Sequence, residues 1–142
     1  MYQNYFNRNY SPRGCSITIL VIIILIISAS RIFAQTHDER YYQLIAAKSL
    51  SGSIEYVTKD KSRIDIVTDE YAIEVDFCYH WQESIGQSLF YSLAISKKPG
   101  IVIIFKGYND YVFLKRLSTV CNAYHIKLWS MDTSTERLSE LN

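Results

Sequence analysis

The stretch from Arg63 to Tyr91 constrains the fold of this chain most, because two short runs of alternating side chains precede a run with helical spacing. RIDIVT (63–68) and YAIEVDF (71–77) alternate apolar and polar residues, as strands with one buried face do. Only a short polar turn separates them, and such a connection joins antiparallel strands. WQESIGQSLFYSLAI (81–95) then has the period of an amphipathic helix.

The rest of the chain completes an α/β pattern. Helices are predicted over 37–50 and 110–124, and strands over 54–58, 101–106 and 126–131. The run IVIIFK (101–106) is apolar throughout, as expected for a strand covered on both faces. The order predicts an αβββαβ core, a mixed sheet flanked by helices, and a C-terminal α-β extension. The domain would span 35–131, with 132–142 as a polar C-terminal tail.

The first 34 residues differ in composition from the rest. They contain no Asp or Glu, and the apolar run ITILVIIILII (17–27) follows Arg8 and Arg13. In a helix at ~1.5 Å per residue this run covers only about half of a ~30 Å bilayer core. It is typical of a secretory signal peptide, and an uncleaved N-terminal membrane anchor is the alternative. The chain is therefore expected to be periplasmic or secreted, or anchored in the inner membrane through residues 17–29.

The charge of the remaining chain is slightly acidic. Without Arg8, Arg13 and Arg31, 12 Lys and Arg stand against 14 Asp and Glu. This balance argues against a broad nucleic-acid-binding face, because phosphate contacts need a cationic surface. A narrow groove with local lysines stays open.

Two cysteines, Cys78 and Cys121, lie beyond the N-terminal segment. They form no CxxC and have no Cys/His spacing, so they do not indicate a zinc site. Two buried free thiols are expected in preference to one disulfide.

Three carboxylates are predicted to share one face of the two strands. Residues two apart in a strand point the same way, so Glu74 and Asp76 oppose the apolar side chains of their strand. If the strands pair, Asp65 joins them while Ile64 and Ile66 take the core side. Like charges in contact raise each other's pKa, and a hard cation such as Mg²⁺ or Mn²⁺ removes that cost. The pattern predicts a divalent-metal site, and a solvated sheet face balanced by nearby basic residues is the alternative.

The predicted helix after these strands carries a polar stripe. Glu83, Gln87 and Tyr91 recur at i, i+4 and i+8 and so share one side. The apolar side, which includes Leu93, is expected to face the core. Gly86 costs about 1 kcal/mol relative to Ala in mid-helix and predicts a close backbone approach.

Asp65, Glu74-Val75-Asp76 and Gln87-x-x-x-Tyr91 together resemble the PD-(D/E)XK nuclease superfamily, over roughly Gln43 to Lys106. The resemblance extends to small exported bacterial proteins of this type. It implies a restriction-endonuclease-like fold and a metal-dependent nuclease that acts outside the cytoplasm with Mg²⁺ or Mn²⁺. The implied partner is nucleic acid, DNA in preference to RNA.

The resemblance also implies site residues. The catalytic set would be Asp65, Glu74, Asp76, Gln87 and Tyr91, and the metal ligands would be Asp65, Glu74, Asp76 and Glu55. Glu39 on the first helix is the alternative to Glu55 as the additional acid. His80 is interpreted as a surface or capping residue in preference to an acid or base.

Asp76 departs from the superfamily pattern, which has Lys there to help activate the attacking water and neutralise transition-state charge. One explanation is a lysine that reaches in from a loop, and the candidates are Lys59, Lys61, Lys97 and Lys98. A second is a further metal ion held in part by Asp76. A third is loss of catalysis, which would leave a binding or interaction domain, and a plain structural exported domain is a further possibility.

Overall fold

The computed structural model describes residues 37–142, and the predicted signal peptide or anchor over 1–34 lies outside the described residues. The helices are α1 (Glu39–Ser49), α2 (Trp81–Ile95) and α3 (Tyr111–Tyr124). The strands are β1 (Ser53–Val57), β2 (Arg63–Val67), β3 (Tyr71–Phe77), β4 (Lys98–Phe105), β5 (Lys127–Asp132) and β6 (Arg137–Glu140). Within this range no helix combines the length and the apolar character needed to cross a bilayer.

The six strands form one mixed sheet in chain order, β1-β2-β3-β4-β5-β6. The first three form an antiparallel meander, β4 and β5 run parallel to β3, and β6 returns antiparallel to β5. The parallel neighbours are joined through α2 and α3, because a parallel pair needs a crossover connection. This confirms the predicted α/β fold, with its αβββαβ core, helix-flanked mixed sheet and C-terminal α-β extension.

Apolar clusters cover both faces of the sheet. One contains the α1 residues Ala46 and Ala47 packed with β3 side chains such as Val75. The other joins α3, through Leu117, to β4 and β5. Residues 101–104 of β4 are fully buried, as predicted for a strand covered on both sides. Each fully buried aliphatic side chain of this kind contributes about 1.5–3 kcal/mol.

The segment after β5 is a strand and not a tail. Arg137–Glu140 pairs with β5 from Asp132↔Arg137 to Trp129↔Glu140. The sequence RLSE offers a single apolar residue, Leu138, which packs on the α1 cluster. An edge strand this short carries too little alternation to be recognised from its sequence.

The buried side of α2 differs from the predicted one. Leu93 is 81% exposed, whereas Ser84, Ser88 and Tyr91 are buried. The Ser88 hydroxyl donates to a carbonyl one turn earlier, so this small polar residue is satisfied inside the fold. A Cβ on Gly86 would meet nothing within 4 Å, so the predicted close approach there is wrong.

Both described cysteines are buried and free, as expected. Burial raises the pKa of Cys78 and of Cys121 to about 12, which keeps both thiols protonated at neutral pH. They act as small core residues, consistent with the absence of a zinc pattern.

Candidate metal centre

The strands β2 and β3 stop pairing at the position where the acidic residues begin. Backbone pairing between the two strands includes Val67↔Ala72 and Ile66↔Ile73, and it ends before Asp65. One residue earlier, Asp65 Oδ2 accepts a hydrogen bond of 2.9 Å from the amide of Val75. The Asp65 side chain therefore takes the place of a ladder bond, and its carboxylate lies against Glu74.

Side chains on either side of Asp65 do not share a face, although alternation predicts that they do. Ile66 packs in the α1 cluster, whereas Ile64 packs with Ala72 and Tyr91. The neighbouring strand is irregular too, since Glu55 adopts a left-handed φ of 57°. Regular alternation fails where β2 leaves the β3 ladder.

Glu74 is the most constrained acid of the group. Its side chain is buried, with 6% of the residue exposed, and its Oε2 has no hydrogen-bond partner. Burial first, and then the charges of Asp65, Asp76 and Glu39, raise its pKa to about 9. A buried carboxylate oxygen without a partner is costly, and a bound cation would satisfy it.

The pKa values of two further acids, Asp65 and Glu39, are raised by the same combination of burial and neighbouring negative charge. Burial, above all, raises the pKa of Asp65, although the Val75 amide opposes the shift. Glu39, the first residue of α1, has a pKa raised to about 7 by partial burial and by the charges of Asp76 and Asp65. The acid group therefore has four members, which are Glu39, Asp65, Glu74 and Asp76.

Glu55 is held by arginines. Its two carboxylate oxygens pair with Arg40 at 2.5 Å and with Arg63 at 2.9 Å. Its charge still contributes to the raised pKa of Asp65. Glu39, the alternative candidate for the additional acid, has a pKa that the charges of Asp76 and Asp65 help to raise.

Asp76 belongs to a second small group. It is 5% exposed, and its Oδ1 accepts from the Phe77 amide at 2.7 Å and lies 3.1 Å from Nδ1 of His80. Ligand atoms of Asp76, His80 and Glu83 all lie within 4.8 Å of one another. His80 thus contacts an acid on one side and solvent on the other. The sequence signal for this contact was the position of His80 four residues after Asp76.

The polar stripe of α2 reaches the acid group at Tyr91. This ring is 8% exposed, and its pKa is raised by burial and by the charges of Glu74 and Asp65. The Gln87 side chain acts on Tyr91 in the opposite direction and lowers its pKa. The structure therefore brings the buried Tyr91 to the predicted carboxylates, and Gln87 lies exposed one turn earlier on α2.

Two of the candidate lysines lie at the far end of β3. Lys97 Nζ donates to the Asp69 carbonyl at 2.7 Å, and Lys98 Nζ pairs with Glu70 at 3.1 Å. Lys98 lies opposite the first residue of β3, roughly 16 Å of extended strand from Asp76. Neither amino group replaces the motif lysine.

The other lysines differ in position. Lys59 and Lys61 are exposed in the turn between β1 and β2. Lys106, which was not among the candidates, follows β4, and its Nζ lies 4.6 Å from the centre of the Phe77 ring. Lys106 therefore brings a cation to the carboxyl end of β3.

Exposed tyrosines surround this end of the sheet. Tyr79 is 55% exposed, stacks on Phe77 with 5.5 Å between ring centres, and meets the His80 ring edge-on at 4.3 Å. Tyr108 and Tyr111, beyond the end of β4, are 87% and 53% exposed. We call Tyr79, Tyr108 and Tyr111 the aromatic rim.

Comparison with known proteins gives two relatives. The chain is 37% identical over 78 residues to the putative KilA-N domain-containing protein L33 of Acanthamoeba polyphaga mimivirus, covering 54% of this chain and 30% of L33. It is 32% identical over 93 residues to the putative KilA-N domain-containing protein R878 of the same virus, covering 65% of this chain and 25% of R878. The chain thus spans a quarter to a third of these relatives. No family model and no solved structure matches it.

Proposed function

We propose that this chain is a metal-dependent nuclease that hydrolyses phosphodiester bonds in nucleic acid. The observation that carries the proposal is Glu74, a buried carboxylate with an unpartnered oxygen and two acidic neighbours, Asp65 and Asp76. Carboxylate oxygens are the ligands that Mg²⁺ and Mn²⁺ prefer. The donor set therefore fits such a cation.

Asp65 and Glu74 would hold the cation, with Asp76 and Glu39 beside them. When bound, it would supply positive charge to the scissile phosphate and lower the pKa of an attacking water. Without the cation, the pKa of Glu39 is raised to about 7, so Glu39 can hold a proton near neutral pH in the metal-free site.

Gln87 and Tyr91 would orient the substrate. Tyr91 keeps its proton because its pKa is raised, so its hydroxyl would be free to donate a hydrogen bond to the substrate. Gln87, one turn earlier on α2, is exposed, which leaves its amide group accessible to a phosphate. The two side chains together form the polar side of the site.

Nucleic acid fits the surroundings of the acid group. Exposed aromatic rings provide stacking surfaces for unpaired bases, and Lys106 provides a local cation in an otherwise acidic chain. The two viral relatives are named for a KilA-N domain. DNA is proposed in preference to RNA because the resemblance to the PD-(D/E)XK nuclease superfamily implies it.

The site of action belongs to the proposal as well. Export to a compartment outside the cytoplasm is proposed from residues 1–34 alone, with their basic start and apolar run. A fusion of residues 1–34 to a reporter enzyme that is active only after export tests it. Reporter activity is expected, and an inactive reporter would remove this part of the proposal.

A catalytically degenerate nuclease-fold binding domain is the second candidate. Asp76 favours this candidate, because it replaces the lysine of the superfamily motif. Its Oδ1 already accepts a hydrogen bond from the Phe77 amide and contacts Nδ1 of His80. Such a domain would bind nucleic acid without cutting it, and its affinity would not depend on divalent metal.

The test is cleavage by the purified full chain. Single- and double-stranded DNA are incubated with Mg²⁺, Mn²⁺ or a chelator. Cleavage with either metal and none with chelator is expected, and Glu74→Gln should abolish it while Glu70→Gln, an exposed acid at the far end of β3, should not. Metal-independent binding without cleavage would establish the degenerate domain instead.

A further inference from the structure

We propose that Asp76, His80 and Glu83 form a second cation site, which binds a transition-metal ion such as Mn²⁺ beside the Asp65–Glu74 site. The inference rests on the proposed function, because this ion would supply the positive charge that the motif lysine brings at the Asp76 position. The positive charge of the missing lysine would then be supplied by the metal ion and would not be lost.

The local fold brings the three ligands together. Asp76 lies near the end of β3, His80 ends the 3-10 turn Cys78–His80, and Glu83 lies in the first turn of α2. Their ligand atoms all lie within 4.8 Å of one another. Adjacent ligands of an octahedral ion with bonds of about 2.1 Å are roughly 3 Å apart. The Asp76–His80 distance of 3.1 Å matches that separation.

Exposure suits an ion that exchanges with solvent. The Asp76 side chain is 8% exposed, whereas that of His80 is 47% exposed, and Glu83 is exposed as well. The site would therefore have one buried ligand that anchors the ion. Its open side leaves room for water or a phosphate oxygen to complete the coordination.

The absence of basic partners around the site, within the described residues, is the second observation. Glu74, two residues away on the same face of β3, is 6% exposed and has an unpartnered oxygen. Among the ion pairs of residues 37–142, neither Glu74 nor Asp76 pairs with a lysine or arginine. Apart from the His80 ring, the buried Asp76 carboxylate therefore has no basic partner among these residues, and a bound divalent cation would balance it.

The imidazole also determines which ion would be preferred. Nitrogen ligands favour Mn²⁺, Co²⁺ and Zn²⁺ over Mg²⁺, whereas the Asp65–Glu74 pair offers oxygen alone. The second site is therefore expected to bind Mn²⁺ and Co²⁺ in preference to Mg²⁺.

The experiment measures metal stoichiometry on the chelator-treated full chain. Mn²⁺ binding is followed by the electron paramagnetic resonance signal of the free ion, and Co²⁺ binding by visible absorption. The wild type is expected to bind two Mn²⁺ per chain. His80→Asn and Glu83→Gln should each lose one Mn²⁺ and weaken Co²⁺ binding at least about tenfold. His125→Asn is the matched control, since Asn tolerates the left-handed φ of 55° at His125, and it should keep both ions.

The outcomes separate this inference from the proposed function. Two ions retained in His80→Asn would overturn the second site. A single ion, lost in Glu74→Gln and retained in His80→Asn, would also overturn it while leaving the proposed nuclease site standing. A single ion lost in His80→Asn and retained in Glu74→Gln would support the second site and count against the first.

Discussion

The acids at the two ends of β3 differ in burial and in charge pairing. At the Tyr71 end, Glu70 is exposed and pairs with Lys98, while the Lys97 amino group donates to a backbone carbonyl. At the Asp76 end, three further acids gather around a buried Glu74 oxygen that has no hydrogen-bond partner. One short strand therefore has an exposed ion pair at one end and crowded, buried acids at the other.

The difference separates acids that are exposed and paired from acids that are buried and crowded. An exposed ion pair such as Glu70–Lys98 adds little to stability, because solvent screens it. Buried acids that raise each other's pKa lower stability, which makes them candidates for a function. The experiments below compare substitutions at the two ends.

The largest expected effect is on cleavage. Asp65→Asn keeps the size of the side chain but removes the charge that would hold the cation, so we expect a loss of roughly 1,000-fold or more. Asp69→Asn makes the same change at the Tyr71 end and should leave the rate within about twofold. Steady-state cleavage of labelled DNA measures both, and equal losses would show that the two ends do not differ in function.

Stability should depend on pH in the absence of metal. Glu74 has an ordinary pKa of 4.5 and a folded pKa of about 9, so the folded state holds the proton more tightly. The free energy of unfolding should then fall as pH rises from 4.5 towards 9, by on the order of a few kcal/mol. Glu39 adds to the same trend up to its folded pKa of about 7.

Urea unfolding in chelator at several pH values measures this dependence. In Glu74→Gln the free energy of unfolding should fall less steeply with pH, most clearly above pH 7 where Glu39 has already ionised. Glu70→Gln should follow the wild type, because its partner is an exposed lysine. A wild-type curve that rises through this range would contradict the assignment of a raised pKa to Glu74.

The smallest expected effect concerns the two tyrosines. Tyr91→Phe removes a hydroxyl whose pKa is raised by the charges of Glu74 and Asp65 as well as by burial, and the loss of its proposed hydrogen bond to the substrate is expected to slow cleavage about tenfold. Tyr71→Phe removes the hydroxyl of a ring that packs edge-on against Trp129 at 5.4 Å and should not alter the rate. Cleavage rates with both variants at saturating metal provide the comparison.

Sequence patterns predicted the long regular elements well. The bounds of α2 and β3 agree with the structure because each has enough residues to establish its period. Alternation and a short turn predicted that Asp65 and Glu74 lie close together, although the backbones of β2 and β3 are not paired at Asp65. The edge strand at Arg137–Glu140 was missed because four mostly polar residues have no readable period.

The parts of the site that escaped prediction depend on irregular backbone. The 3-10 turn after β3 aims His80 back at Asp76, and no periodicity encodes that direction. Ile64 turned to the other face because β2 leaves the β3 ladder at Asp65, a departure that follows from tertiary packing. Lys106 was missed because its proximity depends on the parallel alignment of β4 with β3.

Thermal unfolding with and without Mn²⁺ at pH 8 tests the central claim most directly, because a cation that binds only the folded state stabilises it. With Mn²⁺ in large excess, the wild type and Glu70→Gln should both unfold at least about 5 °C higher than without it. Glu74→Gln should show a much smaller rise. An unchanged wild-type midpoint would contradict the account of the Asp76 end as a metal centre. An equal rise in Glu74→Gln would contradict the assignment of Glu74 as a ligand of the bound cation.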